Sequence, residues 1–447
     1  MIKENLLHVD FKGVLPDFDR ALAFPEFWKN CGFSGVILEF DAKYPWRTWP
    51  GVKRGNYTRT QFRQFISRCQ ELGLETIPLI QVHGHLEWLL DSPRYAKYRE
   101  CDFVNEICPH APGIRSRMKK WIDEVAELFT GSSRIHLGGD EAWHAGSCPK
   151  CRKIGKKQIY AGYFSEMSNY TLSCGLTPMI WGDFFAREKA SDMLKDFPAE
   201  LQLIDWNYSA DCTFENTLSL MQGEHKVLGA SGIGVSGESG ALLFSPLHHR
   251  LSNIYRWQEF AENHRIGMIH TIWGRDTSLG RPYANWYAAA AGCIAAGNPE
   301  KWEAHPWKNL LEAASEAVAG NIWDRLAGFA ERIRQLPAAN EIERAALEYY
   351  ALSMHYQYLR QGVYQQRFTR RWQEKSRHHN GLDEYSYAST CRYFYKLSAE
   401  LKQWKKDFCR FYRQYKLSDL AEVMDLNFTL LEEDLNEEIK IVHANGM

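Results

Sequence analysis

Eight short apolar or β-branched runs alternate with longer helix-forming stretches over the first 300 residues, and no other feature restricts the fold as much. The runs expected as strands are Leu6–Phe11, Gly35–Phe40, Leu74–Gln81, Arg134–Leu137, Thr177–Trp181, Leu201–Trp206, Lys226–Ala230 and Gly267–Ile272. Helical stretches follow near 19–31, 60–72, 114–130, 157–174, 189–195, 213–222, 246–264 and 285–297. Eight such pairs predict an α/β fold, a (β/α)8 TIM barrel over residues 1–300, with its functional groups at the C-terminal ends of the strands. A doubly wound open sheet is the alternative, but no Gly-rich phosphate-binding turn follows the first strand.

From residue 301 the texture changes. Strand-like runs give way to helix formers with apolar periodicity, as in Glu341–Tyr358 and Thr390–Tyr415, so residues 301–447 are expected to form a C-terminal α-helical domain. The Arg/Lys/His-rich stretch Arg367–His379 reads as a solvated face and loop between helices. Lys+Arg (54) and Asp+Glu (55) nearly cancel, which removes the global basic field that nucleic acid or an anionic membrane would require. No apolar run is long enough to span a bilayer, and no secretory leader is visible at the start. Eleven Cys, an odd number without a small-domain disulfide framework, read as reduced thiols of a cytoplasmic chain.

The segment Arg134-Ile135-His136-Leu137-Gly138-Gly139-Asp140-Glu141 carries the chemistry. An apolar strand meets two glycines and then two acids. Neighbouring side chains on a regular strand point to opposite faces, so both acids reach one pocket only if the strand breaks there. Gly138-Gly139 permits that turn. The place is the end of the fourth barrel strand, where catalytic groups are expected.

This segment resembles the His-x-Gly-Gly-Asp-Glu motif of family 20 glycoside hydrolases, the β-N-acetylhexosaminidases, and the chain looks closest to the hexosaminidase D branch. The segments Leu7–Gly13, Ile77–His85, Trp181-Gly182-Asp183 and Asp205–Tyr208 stand in matching order. The resemblance implies an exo-acting hydrolase that removes terminal β-linked GlcNAc or GalNAc by substrate-assisted retaining catalysis, an exception to the two-carboxylate scheme. The acetamido oxygen of the sugar is then the nucleophile. Asp140 would orient the acetamido group and stabilise the oxazolinium charge, while Glu141 would protonate the leaving oxygen and later activate water. His85 matches a strand-3 histidine in the polar network around the acids. The wider family places an acid four residues before that histidine, where this chain has Gln81.

By the same resemblance Tyr208 would bond the acetamido carbonyl, Trp273 would floor the sugar, and Trp181 and Trp206 would wall the N-acetyl methyl. Asp183 is either a pocket acceptor or a helix cap. For the ring hydroxyls, Lys12 stands where the broader family commonly has Arg, and Glu39 lies at the end of strand 2. Arg275 and Asp276 stand near where that family places Glu. No cofactor and no metal are implied. Cys148-Pro149-Lys150-Cys151 has the spacing of half a zinc site, with Cys101, Cys108 and His110 as further donors, but an ordinary reduced loop is the reading adopted. The Gly-rich stretch Gly229–Gly240 reads as the loop after strand 7. Two other functions remain open: a sugar-binding barrel that has lost catalysis, and a barrel glycosidase for a sugar without an N-acetyl group.

Overall fold

The computed structural model describes residues 4–12, 15–52, 55, 57–234, 247–274, 290–320, 322, 325–380, 384–417 and 420–444. Its centre is a closed barrel of eight parallel strands: β1 (Asn5–Asp10), β2 (Gly35–Glu39), β3 (Glu75–Leu79), β4 (Arg134–His136), β5 (Thr177–Trp181), β6 (Gln202–Trp206), β7 (Lys226–Gly234) and β8 (Gly267–Ile272). Each strand pairs with its sequence neighbours, and β1 closes the ring against β8 with Leu6 opposite Ile269. All eight expected strands are present, and the fold is the (β/α)8 TIM barrel.

Side-chain parity divides the core in two. Leu6, Ile37, Ile77, Leu79, Met179, Ile204, Leu228 and Ile269 face inward and plug the barrel. Their neighbours Leu7, Val36, Leu38, Ile135, Ile180 and Leu203 face outward and pack under the helices. Continued upward, the inward parity reaches His8 and Asp10 on β1, Glu39 on β2, His136 on β4, Trp181 on β5 and Trp206 on β6. The barrel interior therefore turns from aliphatic to polar and aromatic toward the C-terminal ends of the strands.

Three local readings are corrected. The run from Gly229 is strand as far as Gly234, because it pairs with β8, Ser231 opposite His270 and Gly234 opposite Ile272. Residues 235–240 of that stretch lie outside the described residues. The expected helix 19–31 is broken into Phe18–Ala21 and Phe24–Cys31 by a turn before Pro25. Arg367–His379 is neither loop nor solvated face throughout, since helix Glu341–Asn380 runs through it. Arg367 Nε and Arg370 Nε reach the two carboxylate oxygens of buried Glu438 at 2.8 and 2.6 Å. That pairing ties this helix to the last one, Leu420–Ala444.

The C-terminal helices Lys308–Ala319, Leu326–Arg334, Glu341–Asn380, Glu384–Gln414 and Leu420–Ala444 share the outer core of the barrel. Trp404 is buried among Tyr356, Phe408 and Phe428 and donates from Nε1 to Leu352 O at 2.8 Å. At the other side, helix Ala290–Gly297 lies so close to Phe24–Cys31 that a methyl group on Gly297 would overlap the Cys31 carbonyl oxygen. Because the obstacle is backbone, Gly297→Ala is expected to cost about 1–3 kcal/mol, the range of overpacked cores. A lowered midpoint in urea unfolding, compared with Gly328→Ala where nothing stands in the way, is the measurement that checks it.

Candidate active site

The site is built on the turn that ends β4. Gly138 and Gly139 have φ of 72° and 101°, a left-handed region that side chains rarely enter. Space excludes other residues as well: a side chain on Gly138 would overlap Gln81 Oε1, and one on Gly139 would lie 2.8 Å from Tyr160 Oη. Three groups hold the turn. His136 Nδ1 accepts from Gly138 N at 3.0 Å, Tyr160 Oη donates to Gly139 O at 2.7 Å, and Asp183 Oδ2 accepts from Glu141 N at 3.3 Å. Burial pushes the His136 imidazole down to about 3, so the ring is neutral and can act as that acceptor. Glu141 completes the break with φ of 51°.

The turn brings both acids to one histidine. His85 Nε2 lies 3.2 Å from Asp140 Oδ2 and 3.5 Å from Glu141 Oε2. His85 is itself left-handed, with φ of 52°. The Asp140 side chain is 9% exposed and that of Glu141 38%, so the two carboxylates meet different surroundings. Burial opposes ionisation of Asp140, but the charge and hydrogen bond of His85 outweigh it and hold the carboxyl below its ordinary value. Asp183 goes the other way. Burial and then the charge of Asp140 push it up to about 7, against Arg187 Nη1 at 2.6 Å. The neighbouring acids are thereby set to different protonation states near neutrality.

An aromatic wall stands beside the acids. Trp181 and Trp273 have ring centres 5.8 Å apart, and Trp206 and Tyr208 lie near-parallel at 5.2 Å. Trp273 Nε1 donates to Tyr208 Oη at 2.9 Å, and burial raises the Tyr208 phenol, keeping it neutral. Three buried polar atoms here, Asp140 Oδ1, Trp181 Nε1 and Trp206 Nε1, have no hydrogen-bond partner among the described residues. Buried polar groups are satisfied in the great majority of cases, and these three atoms are available to a polar ligand.

Lys12 and Glu39, the residues expected at ring hydroxyls, face each other. Lys12 Nζ lies 2.8 Å from Glu39 Oε1, 3.1 Å from Asp10 Oδ2 and 3.0 Å from Asp41 Oδ2. Glu39 also meets His8 Nε2 at 3.2 Å and Gln81 Nε2 at 3.3 Å. Against burial, Lys12 and His8 hold Glu39 well below the usual carboxylate range, whereas burial drives Asp41 well above it. The charge of Glu39 acts on Asp140 and opposes its ionisation. Arg275 and Asp276 lie outside the described residues.

His8, Tyr160 and Arg187 were not among the expected site residues. Arg187, four residues after Asp183 on the same short helix, was the most accessible signal. Its guanidinium also lies 4.1 Å from the ring centre of Trp143, which stands 51% exposed just beyond Glu141. His8 and Asp41 join only through pairing of β1 with β2.

The profile described as "Glycosyl hydrolase family 20, catalytic domain" matches residues 39–335 of the chain. The chain belongs to glycosyl hydrolase family 20. Among family 20 relatives, hexosaminidase D of Homo sapiens is 26% identical over 294 residues, covering 61% of this chain and 60% of the human protein. The match thus spans less than two thirds of the human protein. Hexosaminidase D of Bos taurus is 25% identical over 294 residues, covering 61% of this chain and 84% of that protein. In three dimensions the chain is similar to the β-N-acetylhexosaminidase of Bacteroides fragilis, with a TM-score of 0.52, 16% identity, and coverage of 72% of this chain and 71% of that one. At this identity the likeness concerns the fold. No described helix is long and apolar enough to cross a membrane.

Two outcomes follow from the site's electrostatics. Lys12→Met leaves Asp10, Glu39 and Asp41 buried without their cation and is expected to cost about 3–5 kcal/mol, read from denaturant unfolding at pH 7. Asp183, raised from 3.8 to about 7, holds its proton in the folded chain after the unfolded chain has lost it. Its contribution to stability is complete below pH 3.8 and declines as pH rises toward about 7. The difference in unfolding free energy between wild type and Asp183→Asn, measured across that window, is expected to move in favour of the variant with rising pH.

Proposed function

We propose that the chain is an exo-acting β-N-acetylhexosaminidase that removes terminal β-linked GlcNAc or GalNAc by substrate-assisted, retaining hydrolysis. The observation that carries the reading is Asp140: buried, held ionised beside His85, with Oδ1 lacking a partner among the described residues, next to the more exposed Glu141. An ionised acceptor in a dry site is suited to an acetamido N–H and to the positive charge that grows on the acetamido group. The acetamido oxygen attacks the anomeric carbon while the bond to the aglycone oxygen breaks and Glu141 gives that oxygen its proton. Water then attacks the same carbon, returns its proton to Glu141, and the oxazolinium ring opens.

The remaining residues divide by position. Trp273 forms the floor under the sugar, and Trp181 and Trp206 wall the N-acetyl methyl. Tyr208, which accepts from Trp273, supplies its O–H to the acetamido carbonyl. His85 positions both acids, and Asp183 positions Glu141 through its backbone. Lys12 and Glu39 act on the sugar side through the shape and charge of their cluster, with Arg275 and Asp276 as the remaining hydroxyl contacts. All eleven cysteines are free of disulfides, which supports a reducing, cytoplasmic setting. The net charge of -1 supports a glycan partner over nucleic acid.

Side-by-side assays on aryl β-N-acetylglucosaminide and β-N-acetylgalactosaminide test the proposal. Turnover of at least one, inhibition by a thiazoline analogue, and a roughly 10²–10⁴-fold lower kcat in Glu141→Gln are expected. Binding without turnover would favour a catalytically inactive sugar-binding barrel. Hydrolysis of simple glucosides, with no thiazoline inhibition, would favour a sugar without an N-acetyl group. Near-wild-type kcat in Glu141→Gln on activated and natural aglycones alike would remove the acid assignment.

A further inference from the structure

The loops that follow β3 and β4 meet at a cluster of thiols beyond the acid pair. After His85 the chain forms a small antiparallel hairpin, Arg99–Glu100 with Phe103–Ile107, and then Cys108. After Glu141 it passes through Cys148 to a short turn at Cys151–Lys153. Cys108 Sγ lies 3.6 Å from Cys148 Sγ and 3.5 Å from Cys151 Sγ. Glu100 is fully buried beside them, and one ligand atom from each of the four residues lies within 4.8 Å of all the others.

We propose that Cys108, Cys148, Cys151 and Glu100 form a structural zinc site that fastens these two loops together. The spacing decides among the uses of such thiols. A disulfide brings its sulfurs to about 2.05 Å, and three thiols cannot all be paired that way. Three thiolates around one zinc, each at about 2.3 Å in a tetrahedron, stand about 3.8 Å apart. The observed separations fall close to the second value. The fourth donor is indicated independently. Glu100 Oε1 accepts from Cys148 N, but Glu100 Oε2 is buried with no hydrogen-bond partner among the described residues. A metal supplies what that oxygen lacks.

The Cys148–Cys151 turn has the local geometry for this role. Cys151 N donates to Cys148 Sγ at 3.4 Å, the kind of bond that stabilises a thiolate, and His110 Nδ1 lies 3.3 Å from Cys151 Sγ as an outer partner. Three soft sulfurs with one oxygen in a tetrahedral arrangement suit zinc and not calcium or magnesium, which take oxygen donors only. Four protein donors leave no open position, so the metal stabilises rather than reacts. Neighbouring contacts run across the same seam. Glu106 accepts from His144 N at 3.0 Å, and the Phe103 ring stacks on His144 at 3.4 Å. The two loops that the metal fastens are those that begin at His85 and at Glu141. The inference is independent of which sugar the site takes.

Metal analysis of the full chain, purified with reductant and zinc and then dialysed, is the test. About one zinc per chain is expected. Cobalt added after chelator treatment should give the intense near-ultraviolet thiolate-to-metal band, a readout that needs neither a variant nor turnover. Cys148→Ser with Cys151→Ser should lower bound zinc at least tenfold, Glu100→Gln should weaken zinc retention against a chelator, and His110→Ala should weaken it less than Glu100→Gln does. Chelator should lower the Tm of the wild type and not that of the double variant. Wild-type chain that holds less than a tenth of an equivalent and shows no cobalt band would overturn the site. A disulfide between any two of these cysteines, found by mass spectrometry in fresh lysate, would do the same. Zinc lost in His110→Ala but kept in Glu100→Gln would overturn the Glu100 assignment.

Discussion

Alternation along a strand admits one of two adjacent side chains to a barrel interior. Asp140 shares the inward parity of His136, and Glu141 by the same count belongs outside among the helices. The left-handed turn at Gly138-Gly139, extended by the positive φ of Glu141 itself, removes that conflict. Much of the surrounding structure serves this turn. Gln81 fills the space that a side chain at Gly138 would need, His136 and Tyr160 hold its backbone polar groups, and Asp183 takes the Glu141 N–H. The acid pair thus depends on strands β3, β4 and β5 and on helix Lys156–Ser173 together.

Charge at the barrel mouth is organised around few cations. Lys12 meets three carboxylates on one side, and Arg187 meets Asp183 on the other, with Asp140 and His85 between them in the charge network. Desolvation alone would raise every one of these acids. The position of each relative to Lys12, His8, His85 and Arg187 separates them: Glu39 and Asp140 go down, Asp41 and Asp183 go up. Gln81, standing where the wider family carries an acid, adds no further negative charge while donating to Glu39 at 3.3 Å. A neutral side chain at that place relieves a cluster already short of cations.

What was legible in the sequence was mostly local or periodic. The eight strands could be read from short apolar runs, and the meaning of Gly138-Gly139 from one residue of parity. The aromatic residues at strand ends, Trp181, Trp206, Tyr208 and Trp273, follow from strand position. What escaped was fixed by distant partners. Arg367 and Arg370 looked like a solvated stretch because Glu438, which pairs with both, lies on another helix. Lys12 was expected at the ring hydroxyls, and its engagement by Glu39 and Asp41 arises only when β1 lies beside β2. The Gly-rich run after Gly229 looked like a loop because the strand it pairs with, β8, comes later in the chain.

His85 and Glu141 share a feature beyond chemistry, since both are non-glycine residues in the left-handed region. Such conformations cost of order 1–3 kcal/mol each and persist only while their surroundings over-determine them. The neighbourhood of the acid pair is therefore a local high point of conformational energy inside a well-packed barrel. On warming, these two backbones can release that strain without opening the aliphatic plug below. Loss of the working geometry is then expected at a lower temperature than loss of the fold.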